Sequence, residues 1–325
     1  MVAETRLVVV QRRGAAFEAE HLVHVHGVDF EGPVRVSVGE DLVTTWRSAA
    51  KPFQLEVALG LLPDGGRDLS PEALALGTSS HHGEPGHMEV VSGLLGSFGL
   101  SESSLWCGTH PPLHDSSAEL LVRGGIRFSP IHNNCSGKHA FMAAVCRAHG
   151  WPEDYRDPSH PLQSLILESV HRRSGGAVVD RVIDGCGVPC FVLPLSGMAR
   201  AWASLAAAVG ADDGQLGRVG RAMLARPWHM SGTSALDGEW MRSVRRPLIA
   251  KVGAEGLLCV ALPEVGVGLA LKVHSGASAA RTVALRAVLE RWFPEWLSPE
   301  SPGSSVPIRN CMGADCGTLS AEWRP

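Results

Sequence analysis

The order of residues predicts an α+β fold, built as a single two-lobed unit in which strands from both ends of the chain share an antiparallel sheet. Three features point there. β-Branched runs crowd the N-terminal stretch, a long middle segment carries helical periodicity, and a strand pair returns shortly before a last helix. The sheet lobe is expected to comprise about residues 1–47 and 240–325, and the helix-rich lobe about 48–239. A cleft between the two is the expected place for a site.

The elements follow in order. Strands are expected over 7–10, 22–28 and 34–38, which are rich in valine and separated by glycine-containing breaks. From Ser48 the period changes to that of a helix. Pro52 is tolerable in a first turn, and the run to Leu62 is stopped by Pro63-Asp64-Gly65-Gly66. A second helix follows Pro85, with Met88, Val91, Leu94, Leu95 and Phe98 on one face. Further helices fit 138–149 (stopped by Gly150), 161–173, 214–225 and 279–293. A strand is expected over 178–183, and a hairpin over 257–262 and 267–273 across Pro263-Glu264-Val265-Gly266. The tail over 299–305, Pro-Glu-Ser-Pro-Gly-Ser-Ser, reads as linker.

Composition narrows the function. The 325 residues include 29 Lys+Arg and 33 Asp+Glu, a formal charge of −4, with 45% hydrophobic and 19% charged residues. That suits a well-buried globular protein and gives no basic surface for nucleic acid. The longest apolar run, 201–211, lies between Arg200 and Asp212 and is shorter than the roughly 18 residues a membrane span needs. No leader pattern opens the chain, so a soluble cytoplasmic protein is expected. Eight cysteines without a CxxC are too sparse for a disulfide scaffold and read mainly as small buried hydrophobes. Nine tryptophans against one tyrosine read as core.

Four segments carry chemistry. Arg47-Ser48-Ala49-Ala50-Lys51 is an S-x-x-K pattern where strand gives way to helix. Residues three apart share a helix face, so a lysine amine there can take the serine proton. Lys251-Val252-Gly253 lies on a strand, like the K-[ST]-G element that accompanies S-x-x-K in penicillin-recognising enzymes. Valine stands at the hydroxyl position, however, and Ser231-Gly232-Thr233 does not match their S-D-N element. The third segment, Gly77 to His87, offers Ser80 as a second nucleophile. His81, His82, Glu84 and His87 within it read either as ligands or as a capping loop. The fourth, His132-Asn133-Asn134-Cys135-Ser136-Gly137-Lys138-His139, crowds donors, a thiol and an amine before an apolar helix. Asp184-Gly185-Cys186-Gly187-Val188-Pro189 adds a second thiol in a turn, and thiolates suit zinc.

Taken together in this order, Arg47-Ser48-x-x-Lys51-Pro52, Ser80-His81-x-Gly83-Glu84-Pro85-x-His87, Asn133-Asn134-Cys135-Ser136-Gly137-Lys138-His139, Asp184-Gly185-Cys186-Gly187-x-Pro189 and Lys251-x-Gly253-Ala254-Glu255-Gly256 resemble the rhizobial-type (class 3) L-asparaginases. The likeness runs from about residue 20 to 290. It implies a serine β-lactamase/glutaminase-like fold and a homodimer. It also implies two serine–lysine tandems, Ser48 with Lys51 and Ser80 with Lys251, with Lys272 as a rival partner for Ser80. Zinc would be held by Cys135, Lys138 and Cys186, and Arg47, His139 and Asp184 fall on substrate-binding positions. The expected reaction is hydrolysis of L-asparagine to L-aspartate and ammonia, with Ser48 attacking and Lys51 accepting its proton. Two other readings use the same residues. One is a β-lactamase, penicillin-binding or glutaminase-type amidohydrolase, marked by reaction with a β-lactam or by preference for glutamine. The other is a non-catalytic zinc-stabilised binding protein, marked by unfolding on chelation without amidase activity.

Overall fold

The computed structural model describes residues 5–30, 32–212 and 214–325. Valine- and leucine-rich segments from both ends of the chain are buried side by side in one eight-stranded sheet. Its strands are β1 (Arg6–Arg13), β2 (Ala16–Asp29) and β3 (Val34–Val38) from the N-terminal part. Short β4 (Val43–Thr45) leaves this sheet, and β5 (Asp180–Ile183) and β6 (Pro189–Pro194) join it in a separate three-stranded sheet. β7 (Ile249–Gly253), β8 (Leu257–Leu262), β9 (Val267–Val273), β10 (Ser305–Arg309) and β11 (Asp315–Arg324) complete the large sheet. Its order is β10-β11-β1-β2-β9-β8-β7, with β3 also paired to β2 and every pairing antiparallel.

Between β4 and β7 the chain is mostly helical. The helices are α1 (Lys51–Leu61), α2 (Pro71–Gly77), α3 (Pro85–Ser97), α4 (Asp115–Arg123), α5 (Ser136–His149), α6 (Pro161–Arg173), α7 (Leu195–Gly210), α8 (Gly214–Ala225), α9 (Pro227–Met230) and α10 (Leu236–Ser243). A last helix, α11 (Ala280–Trp292), follows β9. Several ends have a local cause. The Ser70 hydroxyl accepts from Ala73 N and caps α2, and Gly150, at φ 62°, ends α5 in the left-handed conformation that glycine adopts without strain.

β8 shows how the sheet is buried on both sides. Leu257, Cys259 and Ala261 pack into the core that holds the middle helices, while Leu258, Val260 and Leu262 pack with α11 on the other face. α7 lies directly on β9, β2 and β8. The approach is close enough that a Cβ at Gly268 would stand 2.1 Å from both Ala199 O and Ala203 N. Small residues along α7, alanine and glycine above all, make that approach possible. Trp46, Trp202, Trp240 and Trp296 are all fully buried.

The structure departs from the sequence reading in places that have physical reasons. The stretch read as linker carries no helix or strand over 299–304, but the chain then enters β10, and β10 with β11, neither of them expected, extends the sheet beyond β1. β10 is an edge strand whose residues are exposed or half-buried in alternation, so it can carry Pro307 and lacks an apolar run. The strand expected over 178–183 begins at Asp180, and β2 extends well before residue 22. α2, α4, α7, α10 and β6 went unassigned in sequence. The stretch 201–211 lies mostly in α7, a buried helix without a polar face. No helix among the described residues is long and apolar enough to cross a membrane.

The helix-on-strand contact at Gly268 gives a direct test. Gly268→Ala should lower stability by roughly 1–3 kcal/mol, because the added methyl meets backbone that cannot yield without moving α7. Urea unfolding followed by far-UV circular dichroism measures it, and an unchanged midpoint would mean that α7 does not sit on β9 at this distance.

Candidate active site

The site forms where the helical middle of the chain meets β7. α2 ends at Gly77, and the chain turns through Ser79 and Ser80 before α3 begins. Ser80 N donates to Met230 O at 3.1 Å, which pins the turn to the end of α9. The Ser80 hydroxyl is then held by two lysines. Lys251 Nζ, from the middle of β7, lies 2.9 Å from Ser80 Oγ, and Lys51 Nζ, from the first residue of α1, lies 3.1 Å from it. Lys51 also donates to the carbonyl of Ser79. Both lysines are buried. Desolvation and the neighbouring Lys51 bring the Lys251 pKa down to about 8, against the opposing pull of Asp237, whose Oδ2 is 3.4 Å away.

The loop around Ser80 is held rigid by its histidines. His81 accepts from Gly83 N on Nδ1, so its Nε2–H donates to Ser136 Oγ at 2.8 Å. His87 accepts from Glu84 N, donates to Trp228 O and stacks on the Trp228 ring with centroids 4.2 Å apart. Glu84 is the N-cap of α3, and its two oxygens accept from Thr233 N at 2.7 Å and Thr233 Oγ1 at 2.6 Å. Burial pushes the pKa of His81 well down and that of His87 to about 4, so both rings are neutral. Of the two readings open for this loop, capping describes His81, Glu84 and His87, since both ring nitrogens of each histidine already have protein partners.

A second cluster lies at the start of α5. Asn133 fixes the entry: its Oδ1 accepts from Cys135 N at 2.9 Å and its Nδ2 donates to Cys107 O at 2.9 Å. Lys138 Nζ donates to Cys186 Sγ at 3.1 Å, and the Cys186 thiol in turn faces Cys135. That hydrogen bond from Cys186, with the charges of Lys51 and Lys138, draws the Cys135 pKa well down although burial opposes it. Burial works against the Lys138 ammonium, but Cys186, Cys135 and Asp184 together hold its pKa above the usual lysine value. His139 donates from Nδ1 to Tyr155 OH at 3.0 Å, since that hydroxyl spends its own proton on Ser104 O. Its Nε2 is left as a buried acceptor beside Cys186 with no hydrogen bond of ordinary length.

The small sheet brings the remaining residues to this cluster. Thr45 of β4 pairs with Val192 of β6, and Ile183 of β5 pairs with Pro189, so the ends of β4 and β5 emerge together. Arg47 follows at once, in a 3-10 turn over 47–50 that packs against β7. Its φ of 49° is left-handed, a sparsely used conformation for a non-glycine residue. Arg47 N donates to Cys190 Sγ, and Arg47 Nε meets Asp184 Oδ1 at 2.7 Å.

The sequence-derived residues therefore form two groups. Lys51, Ser80 and Lys251 meet at one hydroxyl; Arg47, Cys135, Lys138, His139, Asp184 and Cys186 form the other. Lys272 donates to the Glu255 carbonyl, away from Ser80. Ser48 is half-buried in the 3-10 turn, and among the described residues no hydrogen bond joins its hydroxyl to Lys51, whose amine turns to Ser80 instead. Asp237, Tyr155 and Thr233 belong to the site and had no motif to announce them. Among the described residues no three His, Cys, Asp or Glu side chains are placed to hold a metal. A metal here depends on Lys138 as the third donor with Cys135 and Cys186. These three converge in one buried place beside the unpartnered His139 Nε2, and they fit such an ion once Lys138 gives up the proton it now donates to Cys186.

Comparison with known proteins supplies the context. The family model described as L-asparaginase II matches residues 9–321. No curated protein matches the chain. Among solved structures, Mglu in its native form is 18% identical with a TM-score of 0.37, over 83% of this chain and 60% of that one. This chain thus spans 60% of that structure's chain, less than two thirds of it. A protein of Bacteroides dorei DSM 17855 named for the β-lactamases is 10% identical with a TM-score of 0.42, over 88% and 94% of the two chains. The LovD6 mutant of simvastatin synthase from Aspergillus terreus is 14% identical with a TM-score of 0.40, over 83% and 91%.

Proposed function

The chain belongs to the L-asparaginase II family, and from that premise we propose that it hydrolyses the side-chain amide of L-asparagine to L-aspartate and ammonia through a serine acyl-enzyme. The observation that carries the reading is the Ser80 hydroxyl lying within hydrogen-bond reach of Lys251 and Lys51. Serine attacks only when a base takes its proton, and a lysine serves when its environment lowers its pKa toward the working pH. Lys251, at about 8, meets that requirement.

In this scheme Ser80 Oγ attacks the carboxamide carbon as its proton passes to Lys251 Nζ, and the carbonyl electron pair moves onto oxygen. Charge on that oxygen would be met by Ser48 N in the 3-10 turn over 47–50, since Arg47 N is spent on Cys190 Sγ and Ala49 N on Trp46 O. Collapse breaks the C–N bond, and the departing nitrogen takes the proton from Lys251 and leaves as ammonia. Water then adds to the ester as its proton passes to Lys251; collapse breaks the acyl C–Oγ bond, Ser80 Oγ takes the proton back from Lys251, and aspartate is released. The Arg47 guanidinium, anchored by Asp184, would bind the substrate's α-carboxylate. Cys135, Lys138 and Cys186 would hold the zinc ion. When bound, the ion would supply positive charge that orients the substrate. A second reading gives the attack to Ser48 with Lys51 as its base. The feature favouring it is the Ser48 hydroxyl itself, half-buried one turn from Lys51 with no hydrogen-bond partner among the described residues.

Ammonia release from L-asparagine and L-glutamine separates these readings. Ser80→Ala should reduce kcat on L-asparagine by about 10³-fold or more, the loss expected when nucleophile and base act as one unit. Ser48→Ala should cost far less. A diazoketone analogue of asparagine should modify a peptide containing Ser80; modification at Ser48, with Ser80→Ala still active, would give the attack to Ser48. Absence of amide hydrolysis in the wild type would end the asparaginase reading.

Activity should rise with pH through about 8 as Lys251 loses its proton. The stability consequence has the same sign. The folded pKa lies below the unfolded value of about 10.4, so the folded state binds fewer protons. The resulting cost is full below pH 8 and disappears as pH rises toward the unfolded value. An optimum near pH 5 would assign the base to a carboxylate instead. For the metal, elemental analysis of protein purified without chelator should find up to one zinc per chain, lost in Cys135→Ala and in Cys186→Ala. Full activity with no metal would remove zinc from the scheme.

A further inference from the structure

Lys251 touches Ser80 on one side and a second buried group on the other. Asp237 stands in the first turn of α10, is 1% exposed, and places Oδ2 3.4 Å from Lys251 Nζ. The carboxylate is anchored at both ends. Oδ1 accepts from Gly238 N at 3.1 Å, within its own helix start, and Oδ2 accepts from Val252 N at 3.4 Å, on the strand that carries the lysine. α10 and β7 are packed together, so the contact fixes helix to strand at the residue next to the reacting hydroxyl. A carboxylate buried this fully, with its oxygens on two backbone amides and an amine, has few other positions available.

The surroundings say what the contact does. Lys251 is faced by Lys51 from α1, by Cys135 at the start of α5, by His82 from the Ser80 loop and by Asp237 from α10. Arg281 of α11 faces Asp237 while donating to Gly253 O and Leu257 O. Lys51 brings positive charge to the same hydroxyl, and two ammonium groups there would repel. Asp237 is the only carboxylate among the described residues that bonds either lysine.

We infer that Asp237 is a positioning residue that holds the Lys251 side chain against Ser80 and balances the charge Lys251 acquires when it takes the serine proton. Among the described residues no hydrogen bond joins the carboxylate to Ser80; it acts through the lysine. The arrangement gives the serine a three-member chain, hydroxyl to amine to carboxylate, in which the last member orients the base. The catalytic part of this inference rests on the proposed amide hydrolysis, while the link between Asp237 and Lys251 does not.

The test reads both parts separately. Wild-type protein and Asp237→Asn are labelled with ε-13C-lysine, and the Lys251 signal is identified by its absence in Lys251→Arg. The Asn variant keeps the shape and loses the charge, so the Lys251 midpoint should fall by about 1–3 pH units. In parallel, kcat on L-asparagine should fall roughly 10- to 100-fold, a part of what a positioned general base contributes, with KM nearly unchanged and the acid limb of the pH profile moved in the same direction. A merely structural aspartate would lower the melting temperature without moving the titration. Equal Lys251 midpoints in wild type and Asp237→Asn overturn the inference. A wild type inactive on both amides defeats the hydrolysis reading, yet the titration still decides whether Asp237 governs Lys251. If Asp237→Asn does not fold, Asp237→Glu decides. It keeps the charge and should hold the wild-type midpoint with kcat lowered, because its longer arm displaces Nζ; a wild-type kcat there overturns the inference.

Discussion

A serine hydroxyl shared by two buried lysines is the contact that the rest of the structure serves. Taking an ammonium out of water is expensive, and placing two beside one oxygen adds repulsion. The arrangement persists only if each lysine has compensating partners and the surrounding backbone cannot relax. Lys51 has the Ser79 carbonyl and Lys251 has Asp237, while Ser80 is tied by its own amide to Met230. These residues come from distant parts of the sequence: α1, the loop after α2, the end of α9, α10 and β7. The antiparallel sheet built from both chain ends makes their meeting possible, because it sets β7 at the edge next to the helical middle. The closeness of α7 to β9 belongs to the same requirement, since the sheet that carries β7 must be fixed against those helices.

What could be read beforehand follows from how local each feature is. Ser80, Lys51 and Lys251 were visible because each sits in a short run of unusual composition, such as Thr78-Ser79-Ser80-His81-His82. The family likeness paired Ser80 with Lys251, which lie 2.9 Å apart, but that Lys51 would also reach Ser80 was not visible. The i, i+3 spacing of Ser48 and Lys51 suggests a pair on a helix face, but the chain passes through a 3-10 turn with Arg47 in a left-handed conformation, and the lysine points to Ser80. Asp237 was silent because Leu236-Asp237-Gly238-Glu239 is an ordinary helix start, and its importance arises only when α10 packs on β7. The hairpin of β8 and β9 was legible because both strands are nearly continuous apolar runs. β10 was not, because a short edge strand carrying proline and arginine lacks the apolar run that marks a strand.

The thiol cluster follows a different logic. Its position is set by the three-stranded sheet, which delivers Arg47 from β4 and the Asp184–Cys186 turn from β5 to the start of α5. The Asp184 amide donates to Val188 O and the Gly187 amide donates to Asp184 O, so the turn is closed on itself before any side chain acts. Left-handed backbone at a residue such as Arg47 is held only where neighbours over-determine it. Here the Cys190 sulfur takes its amide and Asp184 takes its guanidinium. Strain at Arg47 is thereby converted into a fixed direction for a cation.

Beside Lys51, three basic side chains in this part of the molecule each face an acid or thiol: Lys251 and Asp237, Lys138 and the thiols, Arg47 and Asp184. The pairs are linked, since Asp184 also raises the Lys138 pKa and Lys51 bears on both Cys135 and Lys251. Removing one member leaves its partner charged in a place where water cannot compensate, so single substitutions should perturb more than the contact they delete. The same coupling bears on ligand choice. A zwitterionic amino acid brings one carboxylate and one ammonium, and enters without disturbing the balance only if each finds its complement among groups already paired. Arg47 can offer a carboxylate its free guanidinium edge while Nε stays on Asp184. A neutral amide side chain can then reach Ser80 without adding a charge beside the two lysines, whereas a carboxylate there would be drawn to them. On the proposed reading, the substrate would be held through its charged ends while the neutral amide meets Ser80, where negative charge developing in the transition state would find Lys51 and Lys251 already in place.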